Sequence, residues 1–213
     1  LPYAAKEQEC LLYLHRARGL INLNRFDLAD DLLNQALQIA TELGLNELSI
    51  YGLEASNFIY IAYLKEKALI NNLEKLRCLR QIVHYEQEAE DVYYLSVIEL
   101  NKPVEKRKKY YPRLVEVIAR LKILWEQNHS PQIFFFYHRL SIWYQELTGN
   151  YQEVIRITEE TSLNIRHKLL HPLRFDERYN KYIQVYAYLR IKEYKNGLRL
   201  AAEYQPAFHP TTN

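Results

Sequence analysis

The stretch Asn24-Arg25-Phe26-Asp27-Leu28-Ala29-Asp30-Asp31-Leu32-Leu33-Asn34-Gln35-Ala36 decides the reading of this chain. Phe26 is followed by Ala29, Leu33 and Ala36, so a large, a small, a large and a small side chain fall three, four and three residues apart. That spacing puts all four on one stripe of an α-helix. Small residues between bulky ones let a neighbouring helix approach closely while the bulky side chains fill the flanking holes. Upstream, Tyr13, Ala17 and Leu20 present a large, a small and a large residue on a preceding helix. The pair predicts two helices packed against each other through a short turn.

This arrangement resembles the tetratricopeptide repeat. Two later segments echo it. Trp143-Tyr144-Gln145-Glu146-Leu147-Thr148-Gly149-Asn150-Tyr151 ends one helix and restarts on an aromatic, with Val154 where the family prefers alanine. Tyr188-Leu189-Arg190-Ile191-Lys192-Glu193-Tyr194, with Gly197 and Ala201, does the same. The resemblance implies an all-α fold in which antiparallel helix pairs stack as a right-handed superhelix, or α-solenoid, whose first helices line a concave face. In that family the face binds an extended peptide or a partner helix, and some bacterial members act as regulatory parts of larger signalling proteins. With Ala17, Ser141 and Val185 taken as the small positions, the resemblance points Arg18, His138, Tyr182 and Tyr186 into the groove. The Lys and Asn side chains with which some members clamp a C-terminal carboxylate are not matched.

Composition agrees with helices. Five glycines and seven prolines in 213 residues leave too few turns for a β-sandwich, and 48% hydrophobic content suffices for a sizeable core. The apolar rhythm predicts helix pairs 3–22 with 25–43, 47–65 with 68–82, 85–100 with 112–128, 131–148 with 151–168, and 174–191 with 194–205, as one repeat domain over 1–213. Between 68 and 100 no Gly or Pro intervenes, so one long bent helix competes there with two. Pro112 and Pro131 suit first helical positions, which leaves 101–111 as a basic connector or short kinked extension. Gly44 and Gly149 stand where helices should stop. The start at Leu1 and the absence of methionine lead us to expect a piece of a longer chain.

A formal net charge of +2 gives no global pull towards a polyanion. Locally, Lys102, Lys106, Arg107, Lys108, Lys109 and Arg113, interleaved with Tyr110 and Tyr111, could grip RNA. The plainer reading is a solvated connector, neutralised by the acidic run Glu86, Glu88, Glu90 and Asp91. His167 and His171 share a helical face, yet nothing nearby supplies a third metal ligand, so no metal or other cofactor is expected. Nineteen tyrosines are unusual. The clusters Phe134-Phe135-Phe136-Tyr137, Trp143-Tyr144 and Phe175, Tyr179, Tyr182, Tyr186 offer either inter-helix packing or a stacking surface for a ligand.

No G-x-S-x-G, P-loop, dinucleotide turn or H-E-x-x-H occurs, so no catalytic residue is nominated and the chain reads as a binding module, not an enzyme. Charged residues interrupt every apolar run before membrane-spanning length. Cys10 and Cys78 form no framework. A cytoplasmic protein interaction module with a scaffolding or regulatory role, and a protein or peptide partner, is the expectation; RNA binding through 102–113 is its rival.

Overall fold

The computed structural model describes residues 2–166 and 177–208. Among these the chain is all α-helical, in the order α1 (Pro2–Asn22), α2 (Phe26–Leu43), α3 (Asn46–Ala62), α4 (Glu66–Leu100), α5 (Val104–Asn128), α6 (Pro131–Thr148), α7 (Tyr151–Arg166), α8 (Glu177–Arg190) and α9 (Tyr194–Phe208). It divides into two compact units, Leu1–Gln87 and Glu88–Asn213, with the division inside α4.

In the first unit α1 packs on α2 and both pack on α3. The quoted stripe is the core of this unit. Ala29, Leu33 and Ala36 are buried together with Cys10, Leu14, Ala17, Ala40, Ala55 and Ile59. The helices come close enough for the Cys10 thiol to donate to the Ala36 carbonyl at 3.3 Å. Phe26 opens α2 and meets the Tyr63 ring edge-on at 5.8 Å, and the Tyr63 hydroxyl donates to Asp27 at 2.8 Å. Gly52 of α3 marks the tightest approach: a Cβ there would lie 2.9 Å from a Leu37 methyl and 3.2 Å from one of Leu14. Asn72 of α4 then donates to the Leu53 carbonyl at 2.6 Å and to Asn57 at 2.8 Å, fixing the start of α4 on α3.

One turn recurs throughout. At Leu20–Arg25, Ala40–Leu45, Tyr60–Lys65, Gln145–Asn150 and Tyr188–Glu193, the last amide bonds back to the first carbonyl at 2.8 to 2.9 Å. The fifth residue also bonds to the second carbonyl. These are the two bonds of a Schellman stop. The fifth residue is left-handed in every case: Asn24, Gly44, Leu64, Gly149 and Lys192 have φ between 51° and 76°. The residue after it accepts the first bond of the next helix. Each turn therefore ends one helix and starts the next within three residues. Gly44 and Gly149 stop helices as expected.

Two boundaries differ from the sequence reading. Residues 68–82 and 85–100 belong to one continuous helix, α4, the longer of the two alternatives. Pro112 lies inside α5, not at its start, and the supposed connector is helical from Val104. Tertiary contacts hold that extra stretch despite the lost backbone bond: the Tyr110 hydroxyl lies 2.9 Å from that of Ser96 on α4, and Tyr111 meets Tyr144 edge-on at 5.9 Å. Pro131, by contrast, takes the first helical position, with the Ser130 hydroxyl accepting the amides of Gln132 and Ile133.

In the second unit α5 packs on α6, α6 on α7, α7 on α8 and α8 on α9. Ile142, Val154, Ile155, Ile157, Ile183 and Ala187 form one core cluster. Phe134, Phe136 and Tyr137 are buried as well, with Phe134 against Trp125 at 4.8 Å and Phe136 against Tyr93 at 4.8 Å. For these rings the packing alternative holds. No described helix is long and apolar enough to cross a membrane.

Candidate functional site

The repeated turn supplies a ruler for the first helix of each pair. Counting back six residues from the left-handed position gives Arg18 on α1, Phe58 on α3, Trp143 on α6 and Tyr186 on α8. Counting back ten from Gly149 and Lys192 gives Arg139 on α6 and Tyr182 on α8. By the same count His138 corresponds to Lys181.

That count explains where the four expected groove residues fall. Arg18 belongs to the first unit and is exposed; its guanidinium lies 5.4 Å from the Tyr51 ring centre and donates to the Tyr51 hydroxyl at 3.1 Å. Tyr182 and Tyr186 belong to the second unit, share one stripe of α8, and are 59% and 37% exposed. His138 does not join them: it is buried at 5% exposure. The expected register on α6 used Ser141 as the small position and ran one residue out, and a one-residue slip turns a helix by about 100°. Lys181, its counterpart on α8, is likewise buried.

His138 lies in a polar layer between α6, α7 and α8. Its ring stacks on Phe134 at 5.7 Å, and its Nε2 is buried without a hydrogen-bond partner. Burial, reinforced by the neighbouring Arg139 charge and opposed by the polar Asn180 side chain, lowers its pKa from 6.5 to about 4. Asn180 donates to the Thr158 carbonyl at 2.8 Å and the Ser162 hydroxyl at 3.0 Å. These bonds fix α8 on α7 and so set which way the α8 tyrosines face.

Arg139 is the residue the sequence reading missed. Its guanidinium lies 4.3 Å from the Tyr179 ring centre and 5.3 Å from that of Phe135, and it donates to the Tyr179 hydroxyl. Arg190 repeats the arrangement over Tyr151 at 5.0 Å and Tyr186 at 5.9 Å. Such contacts fix the cations by attraction to the ring faces. Neither arginine has a carboxylate partner among the described residues, whereas Arg80, Arg120 and Arg156 are paired with Glu54, Glu88 and Glu153. Counting from the turn at Gly149 would have found Arg139.

The structure carries Lys106, Arg107, Lys108, Lys109 and Arg113 of the basic run on one helix, α5. Lys102 pairs with Glu99, and the acidic run meets α5 through the Glu88–Arg120 pair. A cleft of about 580 Å³ between α4 and α5 is lined by Val92, Leu95, Ile98, Tyr110, Arg113 and Arg120, among others, mixing apolar and charged groups. No cluster of His, Cys, Asp and Glu suited to a metal ion occurs among the described residues; His167, His171 and Phe175 lie outside them. Comparison with known protein families, with curated proteins and with solved structures finds no match to this chain.

Proposed function

We propose that this chain is a helical-repeat interaction module of the tetratricopeptide type, in which the exposed faces of the first helices receive a segment of a partner protein. The observation that carries the reading is the recurrence of one Schellman turn joining successive helices at five places in both units. A turn repeated in this way is how stacked helix pairs are joined, and the function of such stacks is to present surface. Asn24 and Leu64 are 40 residues apart, so this helix pair is longer than the family's repeat of about 34 residues.

The surface offered has the chemistry of a recognition site. Tyr179, Tyr182 and Tyr186 are exposed on one stripe of α8, and tyrosine gives large contact area at small entropic cost. The role is scaffolding or regulation, holding a partner without transforming it. A reducing cytoplasm suits the free Cys10 and Cys78.

Selection of phage-displayed peptides on the whole chain tests the reading. Peptides so selected should bind the Tyr182→Ala/Tyr186→Ala variant more weakly, since anchors of this kind contribute about 2 kcal/mol or more each. The melting temperature should hold, because both rings are substantially exposed. Failure to select any peptide, or undiminished binding by a folded double variant, would remove this face from consideration.

A further inference from the structure

The α6/α8 face is distinguished by what it lacks. Residues 131–145 of α6 and 178–192 of α8 and its turn contain no Asp or Glu, while Arg139 and Arg190 each present a guanidinium laid on tyrosine. Glu146, at the end of α6, is the nearest acid in that helix, and burial pushes its carboxyl pKa up; it forms no ion pair with either arginine. A guanidinium has five N–H donors in a planar fork suited to a carboxylate. Only one bond, from Arg139 to the Tyr179 hydroxyl, is formed between these two groups and the described protein.

Resting on the peptide-binding reading above, we propose that this face takes an acidic, extended segment of a partner protein, one carboxylate on Arg139 and a second on Arg190, with Tyr182 packing against the side chains between them. The rings carrying the two guanidiniums, Tyr179 and Tyr186, are seven residues apart on α8. At about 1.5 Å per helical residue the two cations are separated by roughly 10 Å along the helix. A segment in the extended polyproline conformation covers that distance in about three residues at roughly 3.1 Å each, and with three residues per turn it returns every third side chain to the same side. The preferred sequence therefore has Glu or Asp at positions i and i+3. Single-stranded RNA fits less well: the guanidiniums already lie over the rings on which bases would stack, leaving Tyr182 as the free platform on this stripe.

The test measures fluorescence anisotropy of the full chain with three labelled probes. These are an octapeptide with two glutamates three apart around Pro-Phe, the same peptide with both glutamates replaced by glutamine, and an oligouridine. The glutamate peptide should bind about tenfold more tightly than its glutamine form, and Arg139→Gln and Arg190→Gln should each erase about threefold of that preference. Arg139→Lys should recover only part of it, because an ammonium cannot make the paired bonds. If Arg139→Gln lowers the melting temperature, Arg190→Gln at the end of α8 carries the comparison. Equal binding of the two peptides would overturn the acidic preference and leave peptide binding standing. Binding of neither peptide would remove both readings, and tighter, arginine-dependent binding of oligouridine would replace them with a nucleic-acid surface.

Discussion

Acidification should destabilise the second unit through His138, and the size of the effect follows from its burial. In the unfolded chain this imidazole takes up a proton near pH 6.5; in the folded protein burial holds the proton off until about pH 4. Between those values the unfolded state binds more protons, so stability rises with pH across the window. The contribution is complete above pH 6.5, is lost progressively as pH falls towards 4, and does not change further below that. At about 1.4 kcal/mol for each pH unit the whole loss is roughly 3 kcal/mol. Urea denaturation at several pH values between 7.5 and 4.5 measures it, with His138→Gln as the comparison. Glutamine does not titrate, so the variant should be flatter than the parent by about 2 to 3 kcal/mol over this range, whatever constant offset the substitution introduces. Titration of the remaining carboxylates is common to both proteins and cancels. Parallel curves would refute the reasoning and show that the imidazole is reached by water or paired when protonated.

Leu64 is 89% exposed and left-handed, so Leu64→Gly should stabilise by about 1 kcal/mol in a urea melt, the relief of Cβ strain exceeding the entropy glycine adds to the unfolded chain. Pro112→Ala restores a donor inside α5 and should stabilise by up to about 3 kcal/mol, seen as a higher melting temperature; no change would mean that a bend at the proline is required by the packing around Tyr110 and Tyr111. Ala29 and Ala36 are fully buried, and Leu at either should cost roughly 1 to 3 kcal/mol by overpacking; unchanged thermal stability in both would show the α1–α2 crossing to be looser than it is drawn. Replacing Asn180 with Ala removes donors to Thr158 and Ser162 and should cost about 1 to 3 kcal/mol, with a matching loss of helical signal at lower temperature.

The sequence alone determined the helical class and the first crossing, because both are local. The 3.6-residue rhythm of Phe26, Ala29, Leu33 and Ala36 is visible within eleven residues, and the structure buries the last three together. Gly44 and Gly149 announced their turns because glycine is the residue that adopts positive φ without steric cost. Asn24, Leu64 and Lys192 make the same turn with side chains that give weak warning or none. The turn at these positions is enforced by the two hydrogen bonds and by packing of the helices on either side.

What tertiary structure alone decided lies between elements distant in sequence. Pro112 is carried inside α5 because contacts from Ser96 and Tyr144 outweigh one missing backbone bond. The burial of His138 is set by Asn180, forty-two residues later, and by the helix that carries it; on α6 itself only the distance from the turn at Gly149 separates position 138 from 139. Arg139 becomes part of the candidate face through Tyr179, again from α8. Periodicity tells which residues share a helical stripe, but a stripe is inward or outward only with respect to a neighbour, and the neighbour is chosen by how the helices of each unit pack.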